Sequence, residues 1–374
     1  MISSLRLQNF KCFADQSITL SPLTLLSGLN GTGKSSSLQS LLLLRQSYQQ
    51  GVLPSQGLAL NGDFVRIGTA QDALFEGALK SEICFELNWQ SGEEATWKFA
   101  YNMESDVIKL TSTSGTEGVF RENLFTDNFH YLQAERIGPR VSFEMSDYLV
   151  REHFQLGTRG EYTAHFLSTF GNNQMSNQAL AHPSATSRQL RSQVEAWLSE
   201  ISPGTRLSLE SHVGMDVVSL RFSFALGKVE SIPYRSTNVG FGITYTLPIL
   251  TALLSAPQGQ LILLENPEAH LHPKGQARIG ELIALAAAGG VQILLETHSD
   301  HVLNGIRLAV HSGKINPEEV SLHYFKKIEK DGQVQSEVIS PKIDRNGRID
   351  KWPDGFFDEW DKSLDALLVP GGNI

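Results

Sequence analysis

A glycine-rich segment of eight residues constrains this chain more than any other feature. Residues 28–35 have the sequence GLNGTGKS, which matches the pattern G-x-x-x-x-G-K-[ST] at every fixed position. The residues before it, 21–27, predict a short buried strand, and the residues after it predict a helix. A loop between such a strand and helix lets backbone N–H groups and the positive end of the helix surround a phosphate. The alternative is that the segment is only a glycine-rich turn before a core helix, but that does not explain why every fixed position of the phosphate-loop pattern is matched.

The chemistry expected of this loop is binding of a nucleoside triphosphate. Lys34 is expected to reach the β- and γ-phosphates, and the Ser35 hydroxyl is expected to ligate Mg²⁺. The predicted phosphate-binding residues are Asn30, Gly31, Thr32, Gly33, Lys34, Ser35 and Ser36.

Composition excludes several other classes of protein. The chain has 374 residues, of which 41% are hydrophobic, so it can fill a core. Its length suits either two or three ordinary domains or one large α/β domain with insertions. Its two cysteines are too few for a disulfide scaffold, and neither a membrane-spanning run nor a secretory signal is expected. The formal net charge of −9 argues against a chain that is basic throughout for nucleic acid, although a local basic patch stays possible.

A second pair of strands is predicted to complete the site. Residues 261–265 are four apolar residues followed by Glu265, and residues 291–296 form a similar run before Thr297 and His298. The Ala/Leu-rich stretch between them, residues 274–288, predicts a helix, so the two strands should be parallel. Because ligands gather at the carboxyl ends of parallel strands, Lys34, Glu265 and His298 are expected at one edge.

These segments together resemble an ABC-class ATPase of the SMC/RecF/OLD branch. The similar segments are LQNFKCF (7–13), GLNGTGKS (Walker A), RSTNVGFGIT (235–244, a degenerate signature motif), LILLENPEAHLHP (261–273, Walker B with D-loop) and ETHSD (296–300, the His switch). Further segments are similar to a subfamily of short stand-alone ATPases, with a C-terminal domain of unknown function, that often occur beside bacterial defence genes: LQAERIGPR (132–140), GTRGE (157–161) and WPDGFFD (352–358).

The resemblance implies an α/β fold: an ABC-type P-loop ATPase head with a mixed or parallel core sheet, an antiparallel β-subdomain and a helical lobe that carries the signature motif. It also implies ATP and Mg²⁺ as ligands. The implied parts are residues 1–135 (first half of the ATPase lobe), 136–257 (compact insertion and signature lobe), 258–340 (second half of the ATPase lobe) and 341–374 (tail).

The resemblance assigns roles to further residues. Glu265 would support Mg²⁺, His298 would sense the γ-phosphate, and Lys11 would approach the nucleotide. The signature residues Asn238, Gly240 and Gly242 would face ATP held by the opposite subunit. One P-loop and one signature motif per chain therefore imply a homodimer, or a higher even oligomer, with two ATP molecules between subunits.

One position departs from the family pattern. Asn266 stands where a second carboxylate usually polarises the attacking water, and an amide cannot act as a base at neutral pH. Either Glu268 replaces it and turnover is ordinary, or hydrolysis is slow and the closed dimer is long-lived. We favour slow hydrolysis.

Other polar residues leave alternatives open. His270, His272, His298 and His301 form two close pairs that could hold zinc, although the ATPase interpretation already accounts for them. Arg136 and Arg140 are expected either to form surface ion pairs with Glu135 and Glu144 or to contact nucleotide or a partner. Gln71 and Asp72 are a weak candidate for the Q-loop.

The remaining segments predict a compact chain. Residues 80–131 and 206–234 predict strands, whereas 141–205 are more helical, with a helix over 188–201. No long heptad array is present, which is unlike the coiled-coil arm of SMC proteins, and the last 74 residues are too few for a Toprim nuclease. The tail has an amphipathic pattern, which is expected to pack on the core or else to dock a partner: Trp360, Leu364, Leu367 and Leu368.

The sequence thus favours a cytoplasmic, non-membrane ATPase that controls a separate effector, expected to be a nuclease, in defence against phage. That role rests on the resemblance alone. One alternative is a RecF-like ATPase that binds DNA. Another is a non-hydrolysing ATP-bound scaffold, which Asn266 favours.

Overall fold

The computed structural model describes residues 1–330 and 332–368. Its strands are β1 (Ile2–Phe10), β2 (Phe13–Thr19), β3 (Leu23–Gly28), β4 (Gly57–Ala59), β5 (Glu82–Trp89), β6 (Glu94–Ala100), β7 (Val107–Ser114), β8 (Phe129–Leu132), β9 (Phe143–Glu144), β10 (Thr205–His212), β11 (Val217–Leu226), β12 (Val229–Glu230), β13 (Tyr234–Arg235), β14 (Leu261–Glu265), β15 (Gln292–Glu296), β16 (Val320–Lys330) and β17 (Gln333–Ile339). Its α-helices are α1 (Lys34–Gln49), α2 (Ala70–Ala73), α3 (Thr163–Phe170), α4 (Leu190–Ile201), α5 (Phe241–Ser255), α6 (Pro273–Ala288), α7 (Asp300–His311) and α8 (Glu359–Leu368).

The central sheet has the strand order β17-β16-β3-β15-β14-β8. All neighbouring pairs are parallel except β16 with β17. Strands β3, β14 and β15 are runs of apolar residues that are buried almost throughout, as expected where both faces of a parallel sheet are covered. The predicted strand–helix–strand unit is confirmed.

The order of these strands decides which residues meet. Strand β15 lies between the P-loop strand β3 and the Walker B strand β14. The register pairs Glu265 with Glu296, and Glu296 with Leu26. Glu296 is therefore one strand closer to the P-loop than Glu265 is.

A second, antiparallel sheet covers one side of the central sheet, with the order β2-β1-β5-β6-β7-β4. Apolar side chains from this sheet, from helix α1 and from β14 and β15 form one continuous buried cluster. The strands predicted within residues 80–131 are all present.

Helices α3 to α7 and a smaller sheet built on β10 and β11 cover the other side. Helices α6 and α7 lie in close contact because Gly280 and Gly305 carry no side chains. A Cβ on Gly280 would lie 2.2 Å from the Val302 carbonyl oxygen, and one on Gly305 would lie 2.1 Å from that of Ala277. The helix predicted over 188–201 is α4, which begins at Leu190.

The C-terminal segment contradicts one prediction. Phe356 is fully buried, but the apolar residues of helix α8 are not: Trp360 is 68% exposed and Leu367 is 80% exposed. The prediction that this amphipathic helix packs on the core is therefore wrong. Residues 369–374 lie outside the described residues. In the part of the chain that the structure describes, no helix is both long and apolar enough to span a membrane. Cys12 and Cys84 are both free thiols.

Candidate functional site

The P-loop joins β3 to α1 and depends on glycine at two close approaches. Gly33 has φ +108° and stands at the N-terminus of α1, where a Cβ would lie 2.7 Å from both the Cys12 sulfur and the Phe13 ring. Gly28 has φ +141°, and a Cβ there would lie 2.3 Å from the Phe325 carbonyl oxygen on β16. The loop can therefore adopt this path only without side chains at these positions.

Lys34 lies inside the curve of the loop. Its side chain is almost completely buried, and Nζ donates hydrogen bonds to the carbonyl oxygens of Gly28 (3.0 Å) and Leu29 (2.9 Å). Burial lowers the pKa of this amine, while the Glu296 carboxylate, 3.9 Å away, opposes that change. The ammonium group is thus held at the centre of the glycine-rich loop by contacts that a phosphate could replace.

The P-loop separates two cavities. The first, about 230 Å³, is lined by Lys11, Cys12, Gly31, Thr32, Gly33, Lys34, Ser35, Ser36 and Gln39. The second, about 370 Å³, is lined by Ser27, Gly28, Leu29, Asn30, Thr297, His298, Gly355, Phe357, Asp358 and Glu359. Every predicted P-loop residue lines one of them. Lys11 lies beside the loop, and its Nζ donates to Gln39 Oε1 (2.7 Å).

Glu296 is a functional candidate that the sequence pattern did not predict. The Ser35 hydroxyl donates to its Oε1 at 3.0 Å, and Lys34 lies on the same oxygen. Burial, followed by the neighbouring Glu265 carboxylate, raises its pKa to about 7. Its Oε2 is buried and lacks a hydrogen-bond partner among the residues that the structure describes. A hydroxyl beside a half-satisfied carboxylate suits Mg²⁺, which binds proteins through few oxygen ligands.

Glu265 is held on the other side of β15. Its carboxylate accepts hydrogen bonds from the Tyr131 hydroxyl and from the Ala134 amide, both at 3.0 Å. Both donors belong to β8 or the loop that follows it. The structure therefore brings Glu265 to the same edge as Lys34, with Glu296 between them.

Asn266 and Glu268 fix the loop after β14. Asn266 has φ +43°, and its backbone amide donates to the Glu296 carbonyl oxygen (2.8 Å). Glu268 accepts from the Thr297 hydroxyl (2.7 Å) and from the His298 amide (2.9 Å), one bond to each carboxylate oxygen. Partial burial, with the Lys34 cation, lowers the pKa of the His298 ring, which therefore stays neutral at pH 7.

Arg136 corrects another prediction, because it is 2% exposed rather than at the surface. Its guanidinium donates to the carbonyl oxygens of Gln133 (3.0 Å), Glu265 (2.6 Å), Asn266 (2.7 Å) and Tyr245 (3.2 Å). It also lies over the Tyr245 ring, 4.7 Å from the centroid. Arg136 thereby joins the ends of β8 and β14 to helix α5.

The surface ion pairs expected for this region are formed by other residues or not at all. Glu135 pairs with Arg159 at 2.8 Å. Within the described residues, neither Arg136 nor Arg140 forms an ion pair with Glu135 or Glu144.

The signature segment lies at the N-terminus of α5. Asn238 and Gly240 are exposed, whereas Gly242 faces the D-loop, where a Cβ would lie 2.5 Å from the His270 carbonyl oxygen. The His270 ring packs between Phe241 and Tyr245, with centroids 4.7 and 4.9 Å away. The signature segment therefore contacts the D-loop of its own chain.

The remaining candidates have structural contacts. His272 accepts from the Lys274 amide at the start of α6. Among the described residues no three His, Cys, Asp or Glu side chains approach one another as metal ligands, so the histidines lend the zinc alternative no support. Asp72 accepts from Thr69 as part of the cap of α2, and neither Asp72 nor Gln71 lines either cavity beside the P-loop.

The fold and this edge define a P-loop ATPase head. The chain belongs to the family described as "AAA domain, putative AbiEii toxin, Type IV TA system", which matches residues 23–304. A second family, described as "Protein of unknown function (DUF3696)", matches residues 315–367. No curated protein sequence matches the chain.

Two solved structures show where the fold recurs. One is an SMC head bound to the C-winged helix domain of ScpA, with TM-score 0.54 and 15% identity, covering 91% of this chain and 98% of that one. The other is an SMC head with an extended coiled coil bound to the C-terminal domain of ScpA derived from Pyrococcus furiosus, with TM-score 0.50 and 14% identity, covering 98% and 99%. The predicted fold, an ABC-type ATPase head similar to SMC heads, is confirmed, as is an ATPase domain followed by a C-terminal family of unknown function.

Proposed function

We propose that this chain binds ATP with Mg²⁺ and hydrolyses it slowly as a homodimer that controls a separate effector. The observation that carries the proposal is the meeting of Lys34, Ser35, Glu296 and Glu265 at one edge of the central sheet. A buried ammonium, a hydroxyl and two adjacent carboxylates form the set of groups that a triphosphate with its cation requires.

In this proposal Lys34 neutralises the β- and γ-phosphates after it leaves the Gly28 and Leu29 carbonyl oxygens. Ser35 and Glu296 would hold the Mg²⁺ ion, which would shield the phosphate charge when bound. Glu265, aligned by Tyr131 and Ala134, would accept hydrogen bonds from the water ligands of the ion.

Slow turnover is supported by the contacts of Asn266 and Glu268. An amide at 266 cannot remove a proton from water, and both Glu268 oxygens already accept hydrogen bonds from the segment 297–298. In this proposal Glu268, which both hydrogen bonds tie to the segment 297–298, positions His298 rather than serving as the base. The same contacts also favour the second candidate, a scaffold that holds ATP without hydrolysing it.

Dimerisation is supported by the exposure of the signature residues. Asn238 and Gly240 are exposed and line neither cavity of their own P-loop. A second subunit, packed head to tail, would bring them to the γ-phosphate. Control of a nuclease in cytoplasmic defence against phage remains the biological role that we propose for this switch.

The decisive experiment measures ATP binding, turnover and mass in solution for three variants. Lys34→Ala should abolish binding. Lys228 is an exposed lysine in the turn between β11 and β12, so Lys228→Ala should bind ATP like the wild type. Glu268→Gln should keep ATP binding and a residual slow rate, and ATP should double the mass of the wild type. Binding that survives Lys34→Ala would refute the site. Zero turnover in the wild type with tight ATP retention would select the scaffold.

A further inference from the structure

The C-terminal segment 355–359 forms one wall of the larger cavity beside the P-loop. Gly355, Phe357, Asp358 and Glu359 line it together with Gly28, Leu29, Asn30, Thr297 and His298. Ser35, the expected cation ligand, lines the other cavity. The segment therefore lies on the side of the P-loop that His298 occupies.

The position of this wall is fixed by packing against the central sheet. Phe356 is fully buried and packs edge-on against Tyr324, with centroids 5.6 Å apart. Gly355 has φ +82°, and a Cβ there would lie 2.4 Å from the Tyr324 hydroxyl. Tyr324 pairs with Ser27, the residue before the P-loop. The wall is thus packed on β16, the strand next to the P-loop strand β3.

The wall carries negative charge into the cavity. Asp358 accepts from the Gly355 amide (3.0 Å) and pairs with Lys362 (3.0 Å), but Lys362 also pairs with Asp354 (2.5 Å). One ammonium therefore serves two carboxylates. Glu359 forms no ion pair within the described part of the chain. The segment therefore presents an excess of negative charge to the cavity that Thr297 and His298 also line.

We propose that this acidic wall, residues 355–359, makes the site discriminate against the terminal phosphate, so that it weakens the binding of ATP more than the binding of ADP. This inference rests on the proposed nucleotide site. Two like charges repel in proportion to the inverse of their distance, so the phosphate nearest the wall is affected most. The wall would thus make the binding free energy of ATP less favourable. A second subunit or partner that neutralised the charge of the wall would tighten ATP binding more than ADP binding.

The test compares the dissociation constants of ATP and ADP for the wild type and Asp358→Asn/Glu359→Gln. The matched control is Glu104→Gln/Glu210→Gln, which removes the same charge from exposed positions away from the cavity. At low salt the wall variant should bind ATP about threefold to fivefold more tightly and ADP less than about twofold more tightly. The gain should shrink at 0.5 M salt, because exposed charges are then screened within roughly 5 Å.

Repeating the titration in EDTA removes any cation that could link the carboxylates to the nucleotide, and the gain should persist. Glu359→Gln alone keeps the Asp358 contacts that hold the wall. It should give a smaller gain in ATP affinity in the same direction, which would show that the gain does not come from local unfolding. An unchanged ratio of ATP to ADP affinity, or weaker ATP binding, would overturn the inference. A wild type that binds neither nucleotide would instead overturn the proposed function.

Discussion

Replacement of Arg136 by methionine tests whether its hydrogen bonds to the backbone at the ends of β8 and β14 stabilise the site. Methionine keeps much of the side-chain length but removes the guanidinium donors. Carbonyl oxygens of Gln133, Glu265 and Asn266 then lose a charged donor at 2.6–3.0 Å. Three such bonds contribute about 1.5–3 kcal/mol each.

An opposing effect reduces this loss. Burial lowers the pKa of Arg136 to about 10 from 12.5, so keeping its charge inside the protein costs about 3 kcal/mol, which the substitution relieves. The hydrogen bonds prevail, and we expect a net loss of about 2–5 kcal/mol in the free energy of unfolding. With an unfolding entropy of about 2.1 cal/mol/K per residue, the melting temperature should fall by roughly 3–6 °C.

The assay is thermal unfolding of Arg136→Met beside Arg140→Met and Arg136→Lys. Arg140 is exposed on the same loop, so its substitution should change the melting temperature by less than about 1 °C. The melting temperature of Arg136→Lys should lie between those of the wild type and Arg136→Met, because lysine keeps the charge but cannot reach all of the carbonyl oxygens at once. Turnover should suffer more than ATP binding, since Arg136 contacts β14 and not the P-loop. Equal melting temperatures for the two methionine variants would show that the Arg136 hydrogen bonds do not stabilise the fold.

Three further predictions follow from single contacts. Glu296 holds its proton more tightly in the native state (pKa about 7) than when unfolded (4.5), so its contribution to stability falls as pH rises from 5 to 8, by on the order of 2–3 kcal/mol. Glu296→Gln should flatten that part of the melting-temperature profile; an unchanged slope would contradict the assignment. Gly33→Ala should abolish ATP binding and lower the melting temperature, because its Cβ would lie 2.7 Å from the Cys12 sulfur, whereas Gly214→Ala, in open space, should do neither. Tyr131→Phe should leave ATP affinity unchanged and slow turnover about tenfold, since Glu265 loses one donor worth about 1.4 kcal/mol; equal losses in affinity and rate would contradict it.

Local patterns sufficed to predict the parts of the site that each strand carries. The P-loop, the Walker B strand and the strand before His298 are short apolar runs with a polar end, and all three were predicted within a residue or two. The rule that ligands gather at carboxyl ends of parallel strands was then enough to bring Lys34 and Glu265 to one edge.

Strand order and long-range contacts could not be predicted in this way. Glu296 ends its strand as Glu265 does, but only the placement of β15 beside β3 puts it on Ser35. The burial of Arg136 could not be predicted, because its partners at Glu265 and Asn266 are about 130 residues away in sequence. Helix α8 has an amphipathic pattern, which predicts that its apolar face is buried. Periodicity does not show which surface, of this chain or of another, that face contacts.

The central place of β3 has a consequence for biosynthesis. Its two neighbours, β15 and β16, are made long after it, and even the amide of Ile2 bonds to the Gln292 side chain (2.8 Å). At about 5–20 residues per second, ribosomes need roughly 15–60 s to pass from Gly28 to Lys330. During that interval the nascent chain carries a phosphate loop without the sheet that shapes it. Nucleotide capture must therefore wait for synthesis of the later strands, and the apolar strand β3 is a natural target for chaperones until then.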